Sequence, residues 1–220
     1  MAPQTFDAVV DRNSDLVFKP MQGGVLLGDY PTATAITTLV AASGQIEIPN
    51  TYTSVGYISE DGATFSKSRE TSDIRAWGVA SFVRRDIVSE DNTVQFTALE
   101  TNLKTLELKH NRSLGSTQVS AAGELAIPIL SRPGQKHWRV VTLGKDGEGA
   151  TLIYFAKVYH KATVTEMDDE AWTDGDGNLA YGVTMSAEPD ATLGTIGMEL
   201  IFGPGLLAKA VAMGFTIATP

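Results

Sequence analysis

The Asp-Gly dipeptide recurs at Asp61-Gly62, Asp146-Gly147, Asp174-Gly175 and Asp176-Gly177, each time near residues that favour extended backbone. Asp-Gly suits the positive φ angles of tight hairpin turns, so this pattern confines the chain to antiparallel β-structure. Residues 55–59 are expected to pair with 64–67 across Glu60-Asp61-Gly62. Residues 139–143 are expected to pair with 151–158 across the 144–149 loop. The second of these strands, TLIYFAKV, is apolar on both faces and therefore belongs in the centre of the core.

A third hairpin is expected to be the longest: strand 79–89, a turn at Glu90-Asp91-Asn92, and strand 93–101. Strands of this length exceed the usual five or six residues, so they should reach beyond the domain body. On the second strand Val94, Phe96 and Ala98 share one face while Thr93, Gln95 and Thr97 share the other, which makes one side packed and one wet. On the first, Phe82 and Val88 are interrupted by Arg84 and Asp86, and Val83 and Ile87 flank Arg85. Charge on both faces discourages uncontrolled edge pairing while permitting a complementary neighbour.

One helix is predicted at 102–110, capped by Thr101 or Asn102, with Leu99, Leu103, Leu106 and His110 as its packing stripe. Residues 206–213, LLAKAVAM, fit either a short helix or a last strand. The first 50 residues are rich in Thr, Ala and Gly with weak periodicity, so they read as an arm or short strands with a poor core of their own. No repeat, low-complexity tract or Pro-rich linker divides the 220 residues, and 43% apolar residues suffice for an ordinary core. The expectation is a single mainly β domain over 1–220: arm 1–52, β core 53–202 carrying hairpin 79–101 and helix 102–110, and C-terminal extension 203–220.

Chemistry is sparse. There is no cysteine, which removes disulfides and thiolate ligands. No basic stretch followed by an apolar run opens the chain, and no window is long and apolar enough for a membrane helix. A formal charge of −9 opposes sequence-independent binding of nucleic acid, which depends on Lys and Arg neutralising phosphates. His110, His137 and His160 are scattered without metal-ligand spacing, and no nucleophile elbow, phosphate loop or H-E-x-x-H occurs, so no enzyme, metal or cofactor is expected. DGDGN at 174–178 opens like a calcium loop, but the twelfth position is Met185 where a glutamate is needed. GDGNLA at 175–180 formally fits a dinucleotide pattern, yet six acids and no base between 166 and 176 would repel a pyrophosphate. Trp77, Trp138 and Trp172 are expected in a core or an interface, with a sugar-stacking platform as the alternative.

The segment GYISEDGATFSKSRETSDIRAWG at 56–78 resembles the tail-tube (major tail) proteins of siphophages infecting actinobacteria. The resemblance rests on the order of a tyrosine strand, Glu60-Asp61-Gly62, the Ser66-x-Ser68-Arg69-Glu70 run, and Asp73-Ile74-Arg75-Ala76-Trp77-Gly78. It continues through LETN at 99–102 and resumes in GNLAYGVTMSAEPD at 177–190. It implies a tail-tube-type β-sandwich or barrel with a flanking short helix and a long extended hairpin. It also implies hexameric rings lined by that hairpin and stacked into a tube that double-stranded DNA traverses without specific binding. Partners would be copies of the chain, the tape measure, the tail terminator and distal tail proteins, in a virion assembled from subunits made in the host cytoplasm. Under that reading Phe82, Arg84, Arg85, Asp86, Thr93, Gln95 and Thr97 would serve the inter-subunit or lumen surface. Arg69, Glu70, Asp73 and Arg75 would form charge pairs, with Trp77 as a buried anchor. Acidic groups turned inward would keep DNA from adhering. The competing expectations are a β-sandwich carbohydrate-binding or adhesin module and the inner tube of a contractile injection system.

Overall fold

The structure, a computed structural model, describes residues 5–10, 12–41, 45–132, 134–172 and 178–218. Its strands are β1 (Gln22–Asp29), β2 (Tyr52–Ser54), β3 (Ile58–Arg75), β4 (Phe82–Ala98), β5 (His137–Asp146), β6 (Ile153–Met167), β7 (Tyr181–Ala187) and β8 (Gly197–Phe202). Its helices are α1 (Phe6–Val10), α2 (Leu103–His110) and α3 (Pro204–Ala210). The strands form one antiparallel sheet in the order β2-β1-β5-β6-β7-β4-β3, with β8 added to β6. The fold is mainly β, as expected.

β6 makes one sheet behave as two layers. One of its edges runs along β5. The other pairs with β8 over residues 154–159 and with β7 from Ala162 onward, across a register shift between Val164 and Glu166. Bulges of this kind bend a strand and increase its twist, so the sheet rolls over on itself. Val25, Leu27, Trp138 and Val140 from β1 and β5 thereby meet Val94, Phe96, Ala98, Val183 and Met185 from β4 and β7, with Leu108 of α2 closing one end. The outward face of the first layer is covered separately. Ala33, Ile36, Leu39 and Tyr52 pack there on Val141, Ala156, Val158 and Phe202. The connector from β1 to β2 is thus part of a second core rather than a poorly packed arm.

The predicted β5–β6 hairpin forms, but residues 144–146 pair with 153–155, so the connection, with Gly147 at φ +76°, runs over 147–152 rather than 144–149. TLIYFAKV lies centrally, between β5 and β8. Gly62 also has a positive φ, +69°, but it bounds a bulge inside β3 rather than a hairpin turn. Ile58 pairs with Ala98 and Ala63 with Phe96, so four residues of β3 loop out opposite Thr97. The expected pairing of 55–59 with 64–67 is therefore corrected. Residues 206–213 resolve in favour of helix over residues 204–210. The Asp-Gly turns at 174–177 and most of the two DGDGN-based patterns fall on residues 173–177, outside the described residues.

α2 has the predicted cap. The Asn102 side chain accepts from the Thr105 amide, and the Thr105 hydroxyl accepts from the Asn102 amide. Its buried face differs from the predicted leucine stripe: Thr105, Glu107 and Leu108 face in, and Leu103 is half exposed. The reason is electrostatic. Glu107 is 2% exposed and accepts from Lys136 (2.9 Å), Lys104 (3.2 Å) and the Leu114 amide (2.8 Å). Burial pushes its carboxyl up, but these donors outweigh burial and hold it below the ordinary range. Both lysines also reach Asp29, and both lie over the buried Trp138 ring. The network ties α2 to β1 and β5, which a purely apolar stripe cannot do.

Candidate functional site: the β3–β4 ribbon

β3 and β4 contain 18 and 17 residues, about three times the usual strand length. β7 covers β4 only from Asn92 to Ala98, so the rest of the hairpin leaves the body as a two-stranded ribbon with both edges open. At about 3.3 Å per residue it reaches roughly 30 Å from Lys67 to its tip. The turn is Ala76–Ser81, where Gly78 has φ +80°. The sequence-based hairpin at 79–101 is thus corrected. Glu90-Asp91-Asn92 is mid-strand, paired with Arg69, Ser68 and Lys67. Its polarity marks a strand leaving the core, not a turn.

Register shifts between Glu70 and Thr71 and between Ile74 and Arg75 leave Val88 and Val83 as single extra residues on β4. Because β3 alternates without interruption from Ala63 onward, the two faces of the ribbon can be followed to the tip. The first face continues the core side, from Phe65 and Val94 outward. It carries Lys67, Arg69, Glu90, Thr71, Ile87, Asp73, Arg85, Arg75 and Phe82. The second continues the wet side, from Thr93 and Gln95 outward. It carries Ser66, Ser68, Asp91, Glu70, Ser89, Ser72, Asp86, Ile74 and Arg84.

Charges pair within each face. On the first, Arg85 donates twice to Asp73, at 2.7 and 2.9 Å, and its guanidinium lies 4.1 Å from the Phe82 ring centroid. Glu90 takes both Lys67, at 2.8 Å, and Arg69. Hydrogen bonds from Lys67 and Arg69 push the Glu90 carboxyl down to about 2, and the Arg85 bond likewise lowers Asp73. On the second face Arg84 meets Asp86 at 2.8 Å, and the Ser89 hydroxyl donates to Glu70 at 3.4 Å. Arg75, opposite Phe82, has no ion-pair partner among the described residues.

Of the four expected charge-pair residues, Arg69 and Asp73 do sit in ion pairs, but with Glu90 and Arg85 across the strands rather than with one another, and Glu70 accepts from Ser89. Asp73 and Arg75 do not form a pair. Thr93 and Thr97 are half buried and Gln95 is exposed, while Val94, Phe96 and Ala98 on the opposite face are at most 2% exposed. Trp77 is fully exposed at the tip, so of the two expected environments, a core or an interface, the core of its own subunit is not where it sits. Trp138 is buried and Trp172 is exposed. Lys67 and Glu90 form an ion pair of the ribbon that sequence reasoning missed. The signal was available: read antiparallel, Arg69 faces Glu90 and Asp73 faces Arg85 on the second strand, and Lys67 reaches Glu90 diagonally.

The two faces differ in charge and chemistry. The first holds four basic and two acidic side chains together with Phe82 and Ile87, whereas the second holds three acids, one arginine and a run of serines and threonines. One surface can pack and the other stays hydrated. Ile74, Val79, Phe82, Val83, Ile87 and Val88 are each more than 40% exposed, an apolar load that a free two-stranded ribbon does not need.

Among the described residues no helix is long and apolar enough to cross a membrane, and no three His, Asp or Glu side chains converge as metal ligands. The cryo-EM structure of the anti-feeding prophage (AFP) baseplate, 6-fold symmetrised, is similar at a TM-score of 0.41 and 12% identity, over 83% of this chain and 93% of that chain. No curated protein matches the chain. The sequence profile described as phage tail tube protein matches residues 11–195, which takes in the whole ribbon and every strand but β8. With that match across most of its length, the chain belongs to the phage tail tube protein family and is a structural component of the virion tail.

Proposed function

We propose that the chain is the major tail-tube subunit of a long, non-contractile phage tail, assembling into hexameric rings that stack into the conduit for genome ejection. The observation that carries this reading is the ribbon. It has two open edges, a packing face and a hydrated face, and it has no use inside its own subunit. Joining β3 of one copy to β4 of the next around a closed circle removes both edges and brings the packing faces, with Phe82 and Ile87, of neighbouring ribbons side by side. A closed ring satisfies every copy equally. Copies of the chain are the first partners under this reading, with the tape measure, terminator and distal tail proteins at the ends of the tube.

The second face then lines the lumen, as the alternation of Thr93, Gln95 and Thr97 foreshadows. Its acids are Glu70, Asp86 and Asp91, against Arg84 alone, so the wall is hydroxyl-rich and net acidic. Repulsion between like charges keeps DNA from adhering while it slides. Replacing Glu70 and Asp91 by lysine is expected to preserve tubes and slow or stall genome exit, measured by dye-reported ejection from virions carrying the variant. Unchanged ejection speed and completeness would remove repulsion as the reason for the acidic wall.

The assembly itself is tested by electron microscopy of the purified chain. Rings or hollow rods are expected. A stable monomer that binds glycans would favour the carbohydrate-binding alternative, and a sheath gene next to this one would favour a contractile system.

A further inference from the structure

Beside the root of the ribbon lies an open cleft of about 630 Å³. Its floor is a row of residues paired across four strands, Gly23, Gly144, Phe155 and Ile201, all on the side of the sheet that faces the other layer. Ile58 and Phe65 of β3 form its wall. The two glycines give the floor no side chains of their own, and Pro20 leans over Gly144 at its edge. Met21 at one end is 70% exposed and Ile201 is 41% exposed, so the cleft is open and mainly apolar, with the Lys157–Glu199 ion pair on its lining. Its rim is acidic: Glu60 and Asp61, on the bulge of β3, have no ion-pair partner among the described residues.

The tip of the ribbon has the opposite character. Trp77 is fully exposed, Val79 is half exposed, and Arg75 next to them is the ribbon's one guanidinium without a carboxylate among the described residues. An unpaired base and a bare aromatic at one end of the molecule match unpaired acids beside an open, mainly apolar cleft at the other. We propose that the tip of one copy docks in the root cleft of a second copy, Trp77 entering the cleft and Arg75 meeting Glu60 and Asp61. This rests on the tube reading and adds the contact that holds successive rings together.

Geometry supports the axial direction. Tip and cleft are different surfaces separated along the ribbon by roughly 30 Å, so the contact is head-to-tail, and a head-to-tail contact that does not close propagates as a filament. Pairing of ribbon edges closes within a ring, whereas tip-to-root docking carries the structure from ring to ring. Entry into the cleft would remove most of the roughly 150–250 Å² that a tryptophan exposes to water.

The test is Trp77→Ser beside Trp172→Ser, which removes the other exposed tryptophan as a control. Trp77→Ser is expected to give folded subunits and single rings with rods reduced at least about tenfold, a loss well within reach of removing a central aromatic anchor. Trp172→Ser should keep parental rods. Arg75→Glu should also stop at rings, and Glu60→Arg with Asp61→Arg should restore its rods. Parental rods from Trp77→Ser would overturn the proposal, as would failure of the charge swap to rescue Arg75→Glu. Loss of rings together with rods in Trp77→Ser would assign the tip to the ring and overturn the axial contact. A parent chain that forms neither rings nor rods fails the tube reading itself.

Discussion

Excising residues 69–90 and closing Ser68 to Asp91 with an Asn-Gly turn is expected to leave a folded, soluble subunit that forms neither rings nor rods at any concentration at which the parent does. Ser68 and Asp91 are direct partners across the strands, so a two-residue turn can close the shortened hairpin without disturbing the register below it. Nothing in the main core is lost. The buried contributions of β3 and β4 come from Phe65 inward and from Val94 to Ala98, all below the cut. Stability in urea should therefore change by no more than about 1 kcal/mol, because the excised strands bury almost nothing in the monomer. Assembly, in contrast, loses the longest open edges among the described residues. Size-exclusion chromatography with light scattering and negative-stain microscopy read the two outcomes separately. Rods from the shortened chain would show that the rings close through other surfaces.

That separation between body and ribbon explains which parts of the fold could be read from sequence. The β5–β6 hairpin was legible because its strands obey a local rule: an Asp-Gly turn joins runs whose burial depends on their own subunit. Asn102 announced α2 for the same reason, since a cap is a contact over three residues. The Asp61-Gly62 signal was half right. It marked a positive φ, but the chain used it for a bulge, and only the partner strand distinguishes a bulge from a turn. Glu90-Asp91-Asn92 misled because polarity was taken for a turn when it reflected exposure. A strand that leaves the core has no apolar periodicity left to reveal it. Its register is fixed instead by Arg69 against Glu90 and Asp73 against Arg85, pairs 21 and 12 residues apart.

Trp77 and Glu107 show the limits from opposite sides. A tryptophan is normally packed away and a glutamate normally exposed, yet here Trp77 is bare and Glu107 is buried. Glu107 is paid for by Lys104 and Lys136, contributions no single-residue propensity contains. Trp77 has no compensation inside the subunit, and its exposure becomes sensible only if a second molecule supplies the missing surface. Sequence patterns report a residue's average environment, so they fail where a rare pairing or a neighbouring copy decides the outcome.

The largest loss of stability from a single substitution is expected at Asp190→Ala. Asp190 is 1% exposed and Arg139 is 6% exposed, and their charged atoms lie 3.0 Å apart. Arg139 also donates to the carbonyls of Ala33 and His160, at 3.1 and 2.9 Å, so it joins the connector under the second core to β6. Asp190 accepts from the amides of Thr192 and Leu193, at 2.8 and 3.1 Å, and so shapes the turn before β8. Removing the carboxylate strands a buried guanidinium and two amides at once. Breaking one side of a buried ion pair costs about 3–5 kcal/mol, and urea unfolding of the variant should show a midpoint lower by at least 1 M at the usual slopes. Asp190→Asn separates the parts, because an amide oxygen can still serve the turn while the charge is gone, and a smaller loss is expected. Burial alone would raise the Asp190 carboxyl, but the two amides and Arg139 together hold it below the ordinary range. A lowered folded value means that the charge contributes in full above the unfolded pKa of about 3.9 and is lost as pH falls through the folded one. The stability gap between the parent and Asp190→Asn should therefore be constant from neutral to mildly acid pH and close only in strong acid. A gap that does not narrow there would assign Asp190 to packing rather than to charge.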